Sequence, residues 1–392
     1  MMEQPLVSVF IPYYNDEKFL KQAIESVLNQ TYQNWELVLF NHASTDNSRN
    51  IAHSYHDKRI KHLDVSENLG AGSGLNLWNS LSYIKGEYVK VFCADDVMYT
   101  DHLNILVKYL ELNKDKDFVI STFADYIDEN DKILSKICNF FKKYPFNDKD
   151  PFEWQLINSY FNASSLIVWG GGLVRKSALR NVYKDNSMIY RFDMSFWIAL
   201  LLDGKKIGCI NQSLMQYRKH RESAMFQDYK KIAITCFFEH LPFLDLFYSI
   251  KDLNLIKYLC KDVPRSILQK VHKFDADLVE FLLSLQLFRM VVPKRTFPQP
   301  ELINLSYKIC AYQHLYRLFQ NRNSLEKIKT TFGFTIRDFR DMYSSVKELI
   351  EKAPKNDELS FAQTIFSIKN SKDRQYKVIT ILGIRLKFRR KI

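Results

Sequence analysis

Glycine and proline are both scarce, with 11 and 10 residues in a chain of 392. This composition excludes collagen-like and low-complexity chains and argues against long flexible linkers. Long apolar runs are also missing from the sequence.

A helix that spans a bilayer needs about 20 apolar residues. The best candidate, residues 232–248, is interrupted by Glu239, His240, Pro242 and Asp245. The sequence therefore predicts no transmembrane helix.

Cysteine motifs are also absent. The six cysteines form no C-x-x-C pair, and none lies near a histidine at zinc-site spacing, which favours free thiols in a reducing compartment. The first residues, MMEQPLVSVF, lack the basic segment and the long apolar segment of a signal peptide. We therefore expect a cytoplasmic location.

Positive charge is concentrated at one end of the chain. The formal net charge is +12, and residues 371–392 carry eight basic residues and one acid. Within this tail Ile384, Leu386 and Phe388 alternate with basic residues, a period typical of an amphipathic strand. A basic and partly apolar tail fits an anionic membrane surface. Nucleic acid is the competing partner, but no recognisable module carries the charge, so we expect no nucleic acid.

The first part of the chain alternates between two kinds of segment. Short β-rich runs at 6–12, 35–40, 59–65 and 87–93 are separated by segments with helical spacing of apolar residues. Asp16 is the candidate N-cap of the first helix. The alternation predicts an α/β fold with a parallel sheet covered on both faces, which binds ligands beyond the carboxyl ends of its strands.

The later part of the chain has a different pattern. Nearly every segment between residues 226 and 370 has helical periodicity, which predicts a mainly helical domain. We therefore expect three parts: an α/β domain at 1–225, a helical domain at 226–370 and a basic, strand-like tail at 371–392.

Two adjacent carboxylates, Asp95 and Asp96, follow the fourth predicted strand in the segment FCADD. Paired carboxylates at the end of a buried strand commonly hold a hard divalent cation such as Mg²⁺ or Mn²⁺, which in turn neutralises phosphate oxygens. The alternative is a solvated loop with two surface acids.

Five segments in order resemble the family 2 glycosyltransferases. They are VSVFIPYYND, SVLNQTYQNWELVLF, ASTDNS, KGEYVKVFCADD and YRKH, within residues 6–222. The resemblance implies the GT-A fold, a Rossmann-like nucleotide-diphosphosugar-binding domain. It also implies an inverting, metal-dependent transferase that uses Mn²⁺ or Mg²⁺ and moves a sugar from a nucleotide-diphosphate donor to a growing surface glycan, such as capsule or lipooligosaccharide.

The same resemblance indicates partners and location. UDP is the expected nucleotide, with GDP or CDP as alternatives. The acceptor is a glycan, with a lipid-linked one as an option. Together with the basic tail, this would place the enzyme on the inner face of the bacterial cytoplasmic membrane.

The resemblance assigns residues to the donor side of the site. The P-x-Y-N turn would hold the nucleotide base against Pro12, Tyr13, Tyr14 and Asn15. Asp95 would contact the ribose or the donor sugar, and Asp96 would bind the metal. In the segment YRKH, His220 would reach the metal or the phosphates. Arg218 would neutralise the diphosphate, with pairing on the surface as the alternative.

The acceptor side is assigned in the same way. Asp193 lies where inverting members of the family place the general base, which takes the proton of the acceptor hydroxyl. A helix N-cap is the alternative role for Asp193. Trp169, Gly170 and Gly171 lie where the family has its acceptor-side loop, so Trp169 would be a platform for a sugar ring. The alternative there is a plain turn with a core tryptophan.

The chain departs from the family pattern at four positions, and at one of them Leu75 stands where many relatives carry an arginine. Asn41 and His42 stand where the family usually has two aspartates, and Cys93 stands where many relatives have the first acid of the metal motif. His42 would then contact the base in a different way, which leaves the nucleotide open. Two rival functions are a nucleotidyltransferase, whose glycine-rich and basic loop is missing from PYYNDEKFL, and a non-catalytic scaffold built on a decayed transferase domain.

Overall fold

The computed structural model describes residues 4–67, 81–139, 150–161, 169–179, 192–220, 244, 246–289, 300–335, 337–339, 341–342, 344, 366–370, 376–381 and 384–389. The glycine-rich segment at the start of residues 68–86 lies outside the described residues, as does the segment 162–168 before Trp169.

One half of the main sheet is parallel, as the sequence predicts. Its strands are β1 (Val7–Tyr13), β2 (Trp35–Asn41), β3 (Ile60–Asp64) and β4 (Tyr88–Val91). They lie in the order β3-β2-β1-β4, and every neighbouring pair is parallel. All four therefore end at the same edge, and β1 and β2 are followed there by the loops that carry Tyr14 and His42.

The other half of the sheet is mixed. It contains β5 (Val97–Met98), β6 (Phe118–Ile127), β7 (Ile133–Asn139), β8 (Gly172–Arg175) and β9 (Ile207–Arg218). The sheet continues as β4-β8-β6-β9-β5, with β7 paired to β6. Only β6 and β9 are parallel in this half. This mixed half brings the end of β9 against β5, directly after the two aspartates.

Helices cover the sheet. They are α1 (Leu20–Leu28), α2 (Ser48–His53), α3 (His102–Leu112), α4 (Phe152–Phe161), α5 (Phe192–Leu202) and α6 (Leu253–Leu259), with single 3₁₀ turns at Trp169–Gly171 and Lys176–Leu179. The predicted apolar face of α1 is buried against the sheet, through Leu20, Ala23, Ile24 and Val27. Each fully buried residue of this size contributes about 1.5–3 kcal/mol by removal from water, so the face fixes α1 beside the loop after β1.

The predicted N-cap of α1 is wrong. The helix begins at Leu20, and no side chain caps it. The Asp16 carboxylate instead accepts a hydrogen bond from the backbone N of Tyr14, at 2.9 Å. The backbone carbonyl of Asp16 accepts from the N–H groups of Phe19 and Leu20, while its carboxylate faces back into the loop because the N–H of Tyr14 lies there.

The chain divides into two compact units. The first is Met1–Asp262 with Met290–Ile303, and the second is Val263–Arg289 with Asn304–Ile392. The remaining helices are α7 (Arg265–Leu268), α8 (Ala276–Arg289), α9 (Pro300–Gln320) and α10 (Arg322–Phe332). In the second unit Phe281 of α8 stacks on Phe332 of α10, with ring centroids 4.9 Å apart. The three domain boundaries expected from the sequence stay a prediction.

A separate antiparallel sheet lies near the end of the chain. Its strands are β10 (Phe366–Asn370), β11 (Tyr376–Ile381) and β12 (Ile384–Arg389), in that order. The predicted alternating segment of the tail is thus a strand. Among the helices that the structure describes, none is long and apolar enough to cross a bilayer.

Candidate active site

The centre of the site is the turn that carries Asp95 and Asp96 after β4. Asp96 is only 1% exposed. Its Oδ1 accepts a hydrogen bond from the backbone N of Arg218 at 2.9 Å, while its Oδ2 is buried without a partner among the described residues. Burial, and then the neighbouring charge of Asp95, raise the pKa of Asp96 well above its usual range. A buried carboxylate oxygen without a donor is costly, so this atom favours a cation.

A thiol lies beside these two acids. Within the described part of the chain, the ligand atoms of Cys93, Asp95 and Asp96 lie within 4.8 Å of one another. Burial raises the pKa of the Cys93 thiol well above its usual range, and the charges of the two aspartates add to this. Two carboxylates and a buried orphan oxygen fit a divalent cation. The sequence indicated Cys93 only as a departure from the family pattern, although its position pointed to this cluster.

His220 reaches the cluster through Asp95. Its Nε2 lies 3.1 Å from Oδ2 of Asp95, and its ring packs edge-on against Phe19 with centroids 4.7 Å apart. The imidazole side chain is 6% exposed, and its Nδ1 has no hydrogen-bond partner within the described residues. The structure therefore places His220 next to Asp95, as an orienting partner of one acid of the pair.

Arg218 lies beneath the same turn. Its side chain is 0% exposed and donates from Nε to the carbonyl of Asp95 at 2.9 Å. The guanidinium also donates to the carbonyl of Asp128 and to Gln22, and pairs with Asp131 at 2.7 Å. Through these contacts the guanidinium stabilises the turn that carries Asp95 and Asp96. The predicted contact with a diphosphate stays a prediction, and the geometry supports a positioning role.

The loop after β1 offers one exposed aromatic ring. Tyr14 is 44% exposed and lies edge-on to His42, with ring centroids 6.5 Å apart. Tyr13 is 2% exposed, so only its carbonyl, which accepts from the backbone N of His42, faces the loop. Pro12 is half-buried at the end of β1. Burial lowers the pKa of His42, so its imidazole is neutral at neutral pH.

Asn15 joins the loops that follow β1 and β2. Its backbone has a φ of 56°, and its side-chain oxygen accepts from the backbone N of Thr45 at 2.8 Å. Its own N–H donates to Ser44 at 3.1 Å. Asn41, where relatives carry an acid, accepts from the N–H of Ser44 and donates to Asp64. The two asparagines therefore fix the backbone on which Tyr14 and His42 stand.

Asp16 is a third acid at this edge, which sequence reasoning assigned to a helix cap. Burial is the main cause that raises its pKa to about 7, with further increases from the charges of Asp95 and Asp46 and a decrease from His220. Asp16 thus belongs to the electrostatic environment of the Asp95–His220 pair. Its place in the sequence gave no signal for this, because the pair is formed by residues far along the chain.

Asp193 lies in the first turn of α5. Its Oδ1 accepts from the backbone N of Met194 at 2.8 Å. Its charge raises the pKa of the Cys93 thiol and also of Tyr160. The Asp193 carboxylate therefore contributes to the electrostatic environment of Cys93, and its contact with the adjacent N–H is local to the first turn of the helix.

The predicted acceptor loop is a compact 3₁₀ turn. Trp169 is half-buried and packs against Phe196 and Trp197 of α5, with ring centroids 5.0 and 5.8 Å away. Gly170 and Gly171 are buried. The turn therefore lies against the helix that carries Asp193, and most of the tryptophan ring is used in packing.

This α/β fold is of the GT-A type, and sequence comparisons identify the family. The family model described as Glycosyl transferase family 2 matches residues 8–180. An uncharacterized glycosyltransferase of Methanocaldococcus jannaschii is 32% identical over 221 residues, which cover 55% of this chain and 72% of that protein. The glycosyltransferase GlyG of Streptococcus pneumoniae is 30% identical over 230 residues, covering 56% and 73%. The chain belongs to glycosyltransferase family 2 and is an enzyme of that class.

A solved structure agrees with this fold. The crystal structure of residues 1–349 of S. aureus TarS superposes with a TM-score of 0.50 over 97% of this chain and 98% of that one, at 15% identity. The family model covers the strand end with Asp95 and Asp96 and stops before Asp193, Arg218 and His220.

Proposed function

We propose that this glycosyltransferase is metal-dependent and inverting, and that it moves a sugar from a nucleotide-diphosphate donor to a growing surface glycan. The observation that carries the proposal is the buried Oδ2 of Asp96, which has no partner among the described residues and lies in a cluster with Asp95 and Cys93. UDP is the first candidate nucleotide, and GDP or CDP are the alternatives.

The loop after β1 receives the nucleotide base in this proposal. Tyr14 is the exposed ring available for stacking, since Tyr13 is buried. Stacking on an aromatic face contributes about 1–3 kcal/mol per base. The neutral imidazole of His42, next to Tyr14, can donate or accept one hydrogen bond to the base edge. Asn15 joins this loop to the loop after β2, and its place in the P-x-Y-N turn puts it on the donor side in this proposal.

Asp96 holds Mn²⁺ or Mg²⁺ in this proposal, together with Asp95 or Cys93 and with His220 orienting Asp95. When bound, the cation supplies positive charge that stabilises the diphosphate as it leaves. The protein supports these ligands through Arg218. The backbone N–H of Arg218 donates to the Asp96 carboxylate, and its Nε donates to the backbone carbonyl of Asp95. Asp95 is also close enough to this centre to contact the ribose or the donor sugar.

Asp193 is the general base in this proposal. Its carboxylate takes the proton of the acceptor hydroxyl while that oxygen forms a bond to the anomeric carbon and the bond from this carbon to the diphosphate oxygen breaks. The acceptor oxygen enters opposite the leaving group, so the configuration inverts. Trp169 and the two glycines after it would lie on the acceptor side, beside α5.

The tail would hold the enzyme at an anionic bilayer. Each basic residue near such a surface contributes about 1 kcal/mol, and the segment 371–392 carries eight. Strands β11 and β12 lie within this segment. A peripheral position on the cytoplasmic membrane would bring the site close to lipid-linked glycans, which is why we favour an acceptor of capsule or lipooligosaccharide type.

The proposal is tested by turnover. The purified full chain is incubated with panels of UDP-, GDP- and CDP-sugars, with Mn²⁺ or with a chelator, and release of the nucleoside diphosphate is measured with water as acceptor. We expect one donor class to be consumed, only with metal. The Asp193→Asn variant should lose about 10²- to 10⁴-fold in kcat with little change in donor KM. The exposed Asp115→Asn variant is the matched control.

Stereochemistry gives the second readout of the same experiment. NMR of the released sugar, recorded before mutarotation, should show the anomer opposite to that of the donor. A folded protein that neither consumes any of the donors nor binds their nucleoside diphosphates with Mn²⁺ contradicts the transferase mechanism, and a retained anomer contradicts inversion alone.

A further inference from the structure

A lysine in the middle of strand β4 does not fit a purely structural core. Lys90 is 0% exposed and sits one residue before the end of β4, three positions ahead of Cys93. The neighbours Val89 and Val91 are apolar, and the sequence EYVKVFC resembles an ordinary buried strand apart from this cation. A buried ammonium group is costly unless its N–H groups have acceptors, so its partners indicate what it does.

Those partners belong to one turn. The Nζ of Lys90 donates a short hydrogen bond to the carbonyl of Gly170 and a second one, of 3.0 Å, to the carbonyl of Gly172. Both acceptors lie in the Trp169–Gly172 turn, about 80 residues away in sequence. The lysine therefore ties the strand that leads to Asp95 and Asp96 to the turn on the acceptor side.

The same turn is held tightly on its other sides. A Cβ atom on Gly170 would lie 3.1 Å from the ring of Phe92, and one on Gly172 would lie 2.3 Å from the ring of Trp197. Trp197 is in α5, one turn after Asp193, and Trp169 packs against the same helix. The turn is thus clasped between β4 and α5.

We propose that Lys90 is a positioning residue that fixes the Trp169–Gly172 turn against α5 and so sets the distance between Asp193 and the Asp95–Asp96 turn. Lys90 touches neither donor nor acceptor in this account. It acts through two backbone carbonyls and the aromatic packing of Trp169 and Trp197. The last step, from α5 to the reaction, rests on the proposed role of Asp193 as the base.

The first test measures the turn itself and needs no substrate. Hydrogen–deuterium exchange is followed by mass spectrometry in the full-length wild type, in Lys90→Met, which keeps the length of the side chain but removes its donors, and in Lys108→Met, an exposed lysine on α3. Lys90→Met should speed exchange in peptides that cover residues 169–179 and 192–202, and leave peptides of β1 and β2 unchanged. Lys108→Met should match the wild type throughout.

The second test separates positioning from folding. With the donor sugar that the wild type consumes fastest, Lys90→Met should lose about 100-fold in kcat, the scale expected for a misplaced catalytic group. Its affinity for UDP with Mn²⁺, measured by calorimetry, should stay at the wild-type value. Lys90→Arg, which restores donors to the two carbonyls, should recover part of kcat. Gly170→Ala disturbs the turn without touching the lysine and should lower kcat in the same way.

The outcomes are distinguishable. Unchanged exchange in the turn of a folded Lys90→Met variant overturns the proposal, and so does an unchanged kcat. Equal losses of kcat and UDP affinity in Lys90→Met, without recovery in Lys90→Arg, indicate a general fold defect and also overturn it. A wild type that consumes no donor contradicts the proposed function, while the exchange experiment still decides whether Lys90 holds the turn.

Discussion

Nε2 of His220 lies 3.1 Å from Oδ2 of Asp95, across 125 positions of sequence. The pair forms because β9, which ends at Arg218, pairs with β5, which begins directly after Asp96. One strand pairing thus brings His220, in the segment YRKH, onto the first of the two adjacent acids, Asp95.

Removal of this histidine should weaken donor binding. In His220→Ala the Asp95 carboxylate loses its partner and is free to rotate away from the cluster. We expect UDP affinity in the presence of Mn²⁺ to fall about 10- to 100-fold, the scale of a hydrogen bond to a charged group. Calorimetry measures it, with the exposed His56→Ala as control. Equal affinities in the two variants would show that His220 does not orient Asp95.

Replacement of Arg218 should cost stability more than any exposed cation. Arg218→Met leaves the carbonyls of Asp95 and Asp128 without their donor and the carboxylate of Asp131 without its cation. The Asp131 carboxylate is 50% exposed, so water can replace its cation. The main cost comes from the carbonyls, because a buried acceptor left without its donor costs about 1–3 kcal/mol in the free energy of unfolding.

Urea denaturation followed by circular dichroism measures this loss. The matched control is Lys18→Met, which removes the pair with Glu129 at the surface, where the lysine side chain is 46% exposed. A surface pair contributes about 0–1 kcal/mol. If Arg218→Met is no less stable than Lys18→Met, the guanidinium does not support the turn.

Asp16 should make stability depend on pH. Its pKa in the folded chain is raised from 3.8 to about 7, mainly by burial. A raised pKa means that the folded state disfavours the ionised form of Asp16. The contribution of Asp16 to the free energy of unfolding is therefore fully present below about pH 4 and is lost as the pH rises towards 7. Asp16→Asn removes the charge. The free energy of unfolding of this variant should therefore rise relative to that of the wild type as the pH increases, by about 2–4 kcal/mol at pH 8.

The measurement is urea denaturation of both proteins at several pH values from about 4 to about 8. This range runs from near the ordinary pKa of Asp16, 3.8, to above its raised value of about 7. The exposed Asp115→Asn is the control. A difference between Asp16→Asn and the wild type that does not grow with pH would mean that the carboxyl titrates normally.

Local periodicity was enough to predict the parallel half of the sheet. The runs that became β1, β2, β3 and β4 are short, apolar and separated by helical segments, so each local preference agrees with the final fold. The alternating segment at Ile384 became a strand for the same reason. The mixed half could not be predicted, because the order of β8, β6 and β9 depends on long-range pairing that no local pattern records.

Site residues could be predicted from the sequence only where they belong to a recognisable sequence motif. Asp95 and Asp96 were found from their place after a strand, but the burial of Arg218 and Lys90 depends on what packs above them. Asp16 was assigned to a helix cap because capping residues share its chemistry, and the direction of its carboxylate follows from the Tyr14 backbone. The roles of the individual site residues stay predictions until the variants are measured.

The central claim is that Asp96 holds a cation that the nucleotide diphosphate requires. The most direct measurement is calorimetric titration of UDP, GDP, CDP and dTDP into the wild type and Asp96→Ala, with and without Mn²⁺. The account predicts tight binding of one nucleotide by the wild type with Mn²⁺, and loss of that binding both without metal and in Asp96→Ala. Equally tight binding by folded Asp96→Ala, or binding that ignores Mn²⁺, would contradict it.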